Sequence, residues 1–199
     1  MSDRPLPFVS PYAFVFWIVY VWAFWPEWKI LIKARNGAKT PDSKDGGSIG
    51  VIMGLTWIAL FIAFPASFVP ALSFPGRARL PLFIAGLLMI VLGSLLRRYC
   101  WRTLGEYFTG DVQARADQPV IMSGPYKLIR HPSYTAGIMM FIGIGLALGG
   151  WLGLVLITVA IISAYCYRVA VEERALLATI GEPYRTFMST RKRFIPYIV

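Results

Sequence analysis

Residues 132–167 read PSYTAGIMMFIGIGLALGGWLGLVLITVAIISAYCY, and none of these 36 residues is charged. A single helix of this length would measure about 54 Å at 1.5 Å per residue, whereas the hydrocarbon core of a bilayer is about 30 Å thick. Gly149 and Gly150 lie at the middle of the run, where a helix is easily broken. The stretch therefore predicts two antiparallel membrane spans, 133–148 and 151–167, which form a tight helical hairpin.

Three further uncharged stretches are long enough to cross a membrane, at residues 8–25, 48–72 and 80–96. Pro65 and Pro70 are expected to bend or end the second helix. The third is expected to continue as a helix through Arg97, Arg98 and Arg102. The polar segment 27–47 between the first two spans could be an ordered lid or a mobile linker, and its Gly, Lys and Asp content favours the linker. Together the spans predict an all-α integral membrane protein with five transmembrane helices, folded as one domain over residues 1–199.

Composition and charge support this class of protein. The chain is 57% apolar and only 15% charged, whereas a soluble domain carries about 25% charged residues; a soluble enzyme, a disordered tail and a coiled coil are therefore excluded. With five spans, 17 of the 20 Lys and Arg fall on one side of the membrane. The positive-inside rule then predicts an N-terminus outside and a C-terminus in the cytosol. Because the basic residues flank spans, nucleic-acid binding is not expected.

The cysteine and histidine content limits the chemistry. Cys100 and Cys166 cannot form a disulfide framework, and His131 is the single histidine. A site that needs several histidines from one chain is therefore excluded, and we expect no metal. The Gly143-Ile144-Gly145 sequence follows no strand, so a dinucleotide-binding fold is not expected either.

Three polar pieces of the chain are candidates for a functional site. They are residues 123–134 before the hairpin, Arg168 with Glu172 and Glu173 after it, and residues 191–196. Since the two spans of the hairpin are antiparallel, the first two pieces must meet at the same face of the membrane. Arg168 and Glu172 are spaced i, i+4 and so share one side of a helix. Taken singly, these pieces could be a turn, a helix start, a surface ion pair and a lipid-headgroup anchor.

The order of these residues is characteristic. The chain carries, in this order, Gly124-Pro125-Tyr126, Arg130-His131-Pro132-Ser133-Tyr134, a hairpin, Arg168, Glu172-Glu173, Gly181 and Tyr184. This order resembles the isoprenylcysteine carboxyl methyltransferase family. The resemblance covers residues 103–199, beginning at Thr103-Leu104-Gly105-Glu106-Tyr107-Phe108-Thr109, and the N-terminal half matches in hydropathy alone.

The resemblance implies an integral membrane methyltransferase that uses S-adenosylmethionine. In this family the cofactor lies in a cytosol-facing pocket that the C-terminal hairpin and its flanking segments build, and a lipophilic or prenylated substrate enters from the bilayer through a separate opening. Arg168 matches the arginine that positions the substrate carboxylate. The residues that match cofactor-binding positions are Gln113, Gln118, Pro119, Val120, Ile121, Tyr126, His131, Pro132, Ser133, Tyr134 and Glu172.

The chemistry of methyl transfer is compatible with these residue types. A carboxylate acceptor is already ionised at neutral pH, so neither a strong base nor a metal is required. Catalysis would then depend on alignment and on the exclusion of water. Arg168 can bind a carboxylate with two donors, and His131 is expected to form a hydrogen bond rather than act as a general base.

Three other functions stay open at this point. The acceptor could be a lipid amine or a thiol. A sterol-reductase-like enzyme, which shares this C-terminal architecture, would bind NADPH instead, although such proteins usually have more spans. A membrane interaction protein without activity would bind no cofactor at all.

Overall fold

The fold was analysed in a computed structural model that describes residues 4–37, 45–108 and 118–197. Within these ranges the chain forms helices and short 3-10 turns but no β-strand, which confirms the all-α prediction. The helices are α1 (Tyr12–Gly37), α2 (Ser48–Ala66), α3 (Gly76–Leu104), α4 (Pro132–Leu148), α5 (Trp151–Ile180) and α6 (Glu182–Thr190). The 3-10 turns are Leu6–Phe8, Pro70–Leu72, Gly105–Tyr107 and Gly124–Lys127.

Four of the described helices, α1, α2, α3 and α5, are long and apolar enough to cross a membrane. The fifth apolar helix, α4, has 17 residues and measures about 26 Å at 1.5 Å per residue. It packs between α3 and α5.

The helices extend beyond the predicted spans at several ends. Helix α1 continues to Gly37, so the first part of the segment 27–47 is helical rather than a linker. Helix α5 continues to Ile180, because no glycine or proline lies between Gly153 and Gly181. Helix α2 instead ends early, at Ala66 directly after Pro65, and Pro70 begins a separate 3-10 turn. Helix α3 runs through the three arginines that were expected to prolong it.

The turn of the C-terminal hairpin consists of two glycines. Gly149 has a φ of 74°, in the left-handed region that favours glycine, and Gly150 is extended. The carbonyl of Gly149 accepts a hydrogen bond of 2.9 Å from the Phe74 amide, which ties the turn to the segment before α3. The hairpin predicted from the uncharged run is therefore present, with its break at the predicted residues.

Helices α3 and α4 approach each other through glycines. A Cβ atom on Gly86 would lie 2.5 Å from the Gly143 carbonyl oxygen, and one on Gly143 would lie 2.6 Å from the Gly86 oxygen. Such backbone-to-backbone contact is typical of helix pairs in membranes. The polar residues meet where the end of α3, the start of α4 and the middle of α5 lie side by side.

We predict that Gly86→Ala lowers the thermal unfolding midpoint in detergent by about 2–10 °C, because the added methyl group must push the two backbones apart. The matched control is Gly54→Ala on α2, where a Cβ would meet no atom within 4 Å. Equal midpoints for the two variants would contradict the close α3–α4 contact.

Candidate active site

The segment before α4 is held in place by the C-terminal end of the described chain. The Arg130 amide donates to the Lys192 carbonyl at 2.8 Å, and the His131 amide donates to the Arg193 carbonyl at 3.0 Å. One turn later, the Thr135 hydroxyl donates to the Phe194 carbonyl at 2.8 Å. The third polar piece of the sequence, residues 191–196, therefore fixes the first, residues 123–134, in addition to any contact with lipid headgroups. The contacts between these two segments are called the clamp below.

Glu173 is the buried centre of this clamp. Its Oε1 accepts a 3.1 Å hydrogen bond from His131 Nε2, which donates because an ionised carboxylate can only accept. Arg130 Nη1 lies 3.4 Å from the same oxygen, and Arg193 Nη2 donates to Oε2 at 2.7 Å. His131 thus forms a buried hydrogen bond to a carboxylate. Glu173 was visible in the sequence beside Glu172, but its role was missed.

Tyr134 joins the two residues that were predicted to share one side of α5. Its hydroxyl donates to Glu172 Oε2 at 2.5 Å and accepts from Arg168 Nε at 3.2 Å. The phenol therefore connects Arg168 to Glu172. The i, i+4 spacing correctly placed both side chains on one face.

Arg168 is also bound from the N-terminal half of the chain. Its Nη1 donates to the Asp45 carboxylate and, at 2.6 Å, to the Ser48 hydroxyl. Both Arg168 and Asp45 are buried. Asp45 was not predicted as a site residue, because it lies 123 residues from Arg168 and no local signal in the sequence links the two.

A second buried arginine lies close to this group. Arg97 on α3 pairs with Glu27 on α1 and donates from Nη1 to the Ser133 carbonyl at 2.7 Å and to its hydroxyl at 2.9 Å. In the sequence, Arg97 indicated only a continuation of the third helix. Its partner Glu27 lies on α1, just past the predicted end of the first span.

One cavity, of about 280 Å³, joins these residues. Part of its lining, called the polar end below, consists of predicted site residues, namely Gln118, Pro119, Val120, Ile121, Tyr126, His131, Ser133, Tyr134, Arg168 and Glu172. Another part, called the apolar end below, comes from α1, α2 and α4, with Phe24, Trp28, Ile52, Met53, Trp57 and Phe141 among its residues. Of the other predicted residues, Pro132 is buried in the first turn of α4 and is absent from the lining, and Gln113 lies outside the described residues.

Two tyrosines outside the spans add neutral donors to the polar end. Burial raises the pKa of Tyr126 and of Tyr184 above the usual phenol value, and the nearby Glu172 raises both further. Both phenols therefore stay protonated at neutral pH and can donate hydrogen bonds into the cavity that they line.

Comparison with known proteins gives matches to membrane methyltransferases from a family model and from individual relatives. The model of the phospholipid methyltransferase family matches residues 81–182, just over half of the chain. A protein-S-isoprenylcysteine O-methyltransferase of Xenopus laevis is 31% identical over 119 residues, which are 59% of this chain and 41% of the relative. Protein-S-isoprenylcysteine O-methyltransferase B of Arabidopsis thaliana is 26% identical over 115 residues, which are 57% of this chain and 58% of the relative.

A solved structure is similar as well. The eukaryotic intramembrane Ras methyltransferase, isoprenylcysteine carboxyl methyltransferase, matches with a TM-score of 0.59 and 29% identity over 75% of this chain and 52% of that chain. The chain thus spans about half the length of the relatives that it matches. These matches confirm the resemblance noted in the sequence. With its apolar helices, the chain is an integral, multi-pass membrane protein that belongs to the phospholipid methyltransferase family and is similar to its isoprenylcysteine methyltransferases.

Proposed function

We propose that the chain is a membrane-embedded methyltransferase that transfers a methyl group from S-adenosylmethionine to the carboxylate of a lipophilic acceptor. The position of Arg168 carries the proposal. Its guanidinium lines the cavity and bonds to Tyr134 of the polar end and to Ser48, where α2 begins towards the apolar end. The names of the relatives, isoprenylcysteine O-methyltransferases, support the same reaction.

The polar end of the cavity fits the methyl donor. S-adenosylmethionine carries a sulfonium, an ammonium, a carboxylate, an adenine and two ribose hydroxyls. Glu172 offers a carboxylate to the positive groups or the hydroxyls, and the phenols of Tyr126 and Tyr184 offer neutral donors. Leu176 and Ile180 give the same end an apolar wall. We infer that these residues hold the donor, together with the segment Gln118 to Ile121 and with the His131 segment that the clamp fixes.

The apolar end fits a hydrocarbon chain. Methyl transfer to a carboxylate then requires only a few contributions from the protein. When bound, S-adenosylmethionine supplies a sulfonium methyl group, and transfer forms a C–O bond while the S–CH3 bond breaks and its electron pair stays on sulfur. The acceptor carboxylate is ionised at neutral pH, so no protein base has to remove a proton. Arg168 orients that carboxylate, and the burial of Arg168 and Arg97 excludes water from the reacting charges.

The orientation of the protein in the membrane is part of the proposal. The excess of Lys and Arg on one side favours an N-terminus outside and a C-terminus in the cytosol. The polar end of the cavity lies on the side of the C-terminal segment, and so it would face the cytosol and its pool of soluble donor.

A lipid amine is the second candidate acceptor. The charge of Arg168 is already matched by Asp45, which weakens its attraction for another anion, and the family model is that of phospholipid methyltransferases. An amine, unlike a carboxylate, must lose a proton before or during transfer.

The test is a transfer assay with purified protein in detergent and methyl-labelled S-adenosylmethionine. The acceptors are N-acetyl-S-farnesylcysteine, its uncharged amide as the matched control, and phosphatidylethanolamine. We expect a base-labile methyl ester on the acid alone. Label in the phospholipid alone would replace the carboxylate with an amine as acceptor, and no label in any of the three would refute the proposal.

A further inference from the structure

Two of the arginines that line the cavity, Arg97 and Arg168, are paired with carboxylates from outside the family match. Arg97 and Arg168 lie within residues 81–182, whereas Glu27 on α1 and Asp45 before α2 precede that range. The N-terminal part of the chain therefore supplies more than hydrophobic anchoring. It completes the charge balance of the site.

Asp45 is held rigidly where α2 begins. Its Oδ1 accepts from the Ser48 hydroxyl at 2.8 Å, and its Oδ2 accepts from the Ile49 amide at 3.2 Å. The first turn of α2 is fixed on α5 a second time, since the Tyr167 hydroxyl donates to the Gly46 carbonyl at 3.2 Å. A carboxylate fixed in this way can fix the cation that it binds.

The partners of Arg168 surround its guanidinium. Asp45 and Ser48 bind Nη1, and Tyr134 binds Nε. Arg168 lines the cavity, but Asp45 does not, although its neighbour Ile49 does. Asp45 therefore acts on the cavity through the residues that it binds, Arg168 among them.

We propose that Asp45 is a positioning residue that orients Arg168 towards the acceptor carboxylate and moderates its charge. This inference rests on the proposed function. Two opposite consequences follow if Asp45 loses its charge. Arg168 becomes less well oriented, so turnover falls, and its charge is less fully offset, so an anionic acceptor binds more tightly in the ground state.

The test is the variant Asp45→Asn, in which the amide oxygen can still cap α2. We expect kcat to fall about tenfold, while calorimetry shows N-acetyl-S-farnesylcysteine binding roughly 3- to 10-fold more tightly than to the wild type. Its methyl ester, which lacks the charge, should bind both proteins equally. Ser48→Ala removes the neutral partner of the same guanidinium nitrogen and should not tighten binding of the acid.

The possible outcomes separate the inference from the proposed function. Unchanged kcat and acid affinity in Asp45→Asn would refute the role of Asp45. So would weaker binding of both acid and ester together with a lower unfolding midpoint, since that pattern indicates a merely structural residue. A wild-type protein that methylates no acid would refute the proposed function itself, and the role of Asp45 with it.

Discussion

Arg168→Lys is expected to lower kcat with the acid acceptor about 100-fold while leaving the affinity for S-adenosylmethionine within about threefold. Lysine keeps the positive charge and can still pair with Asp45. It lacks the planar fork that holds Tyr134 through one nitrogen and Asp45 and Ser48 through another. The acceptor carboxylate would therefore be bound without being aligned.

The measurement is a comparison of turnover and calorimetric donor affinity in the purified variant. Arg185→Lys is the matched control, because Arg185 forms an exposed pair with Glu182 on α6 and its side chain is 70% exposed. The control should keep normal turnover. Normal turnover in Arg168→Lys as well would refute the assigned role, and loss of donor binding would indicate a general collapse of the site.

Glu172→Ala is expected to weaken binding of S-adenosylmethionine by about 10- to 100-fold, which is the usual contribution of a hydrogen bond to a charged group. Glu172 lines the polar end of the cavity, and Tyr134 orients it through a 2.5 Å hydrogen bond. Its removal takes away the negative charge that favours a sulfonium or an ammonium there. It also leaves the Tyr134 hydroxyl without its acceptor.

Calorimetric titration of the variant checks this prediction. Glu182→Ala is the matched control, since that carboxylate has 77% of its side chain exposed and pairs only with Arg185 among the described residues. It should bind the donor as the wild type does. Unchanged affinity in a folded Glu172→Ala protein would place the donor elsewhere.

The fold was predictable because its main signals are local. A long uncharged run with two glycines at its middle specifies a hairpin, whatever the rest of the chain does. Helix ends were harder to predict, because a helix such as α1 can continue into polar sequence where hydropathy alone would end it. The end of α5 at Gly181 was likewise hidden by charged residues that a helix accommodates easily.

The residues of the site also differ in whether a local signal in the sequence indicates them. Tyr134 and Glu172 were found because a family resemblance and a helical spacing indicate them, and the structure brings both to one cavity with Arg168. Asp45 and Glu27 were missed because their partners lie 123 and 70 residues away. Such contacts exist only once α1 and α2 have packed against the rest of the bundle, so no short motif can indicate them.

The cavity is proposed to bind a methyl donor. This binding can be measured by calorimetric titration of the detergent-purified wild type with S-adenosylmethionine, S-adenosylhomocysteine and NADPH. We expect saturable binding of the first two and none of the third. Binding of NADPH alone would move the protein to the reductases, and a folded protein that binds none of the three would refute the proposed methyl-donor site.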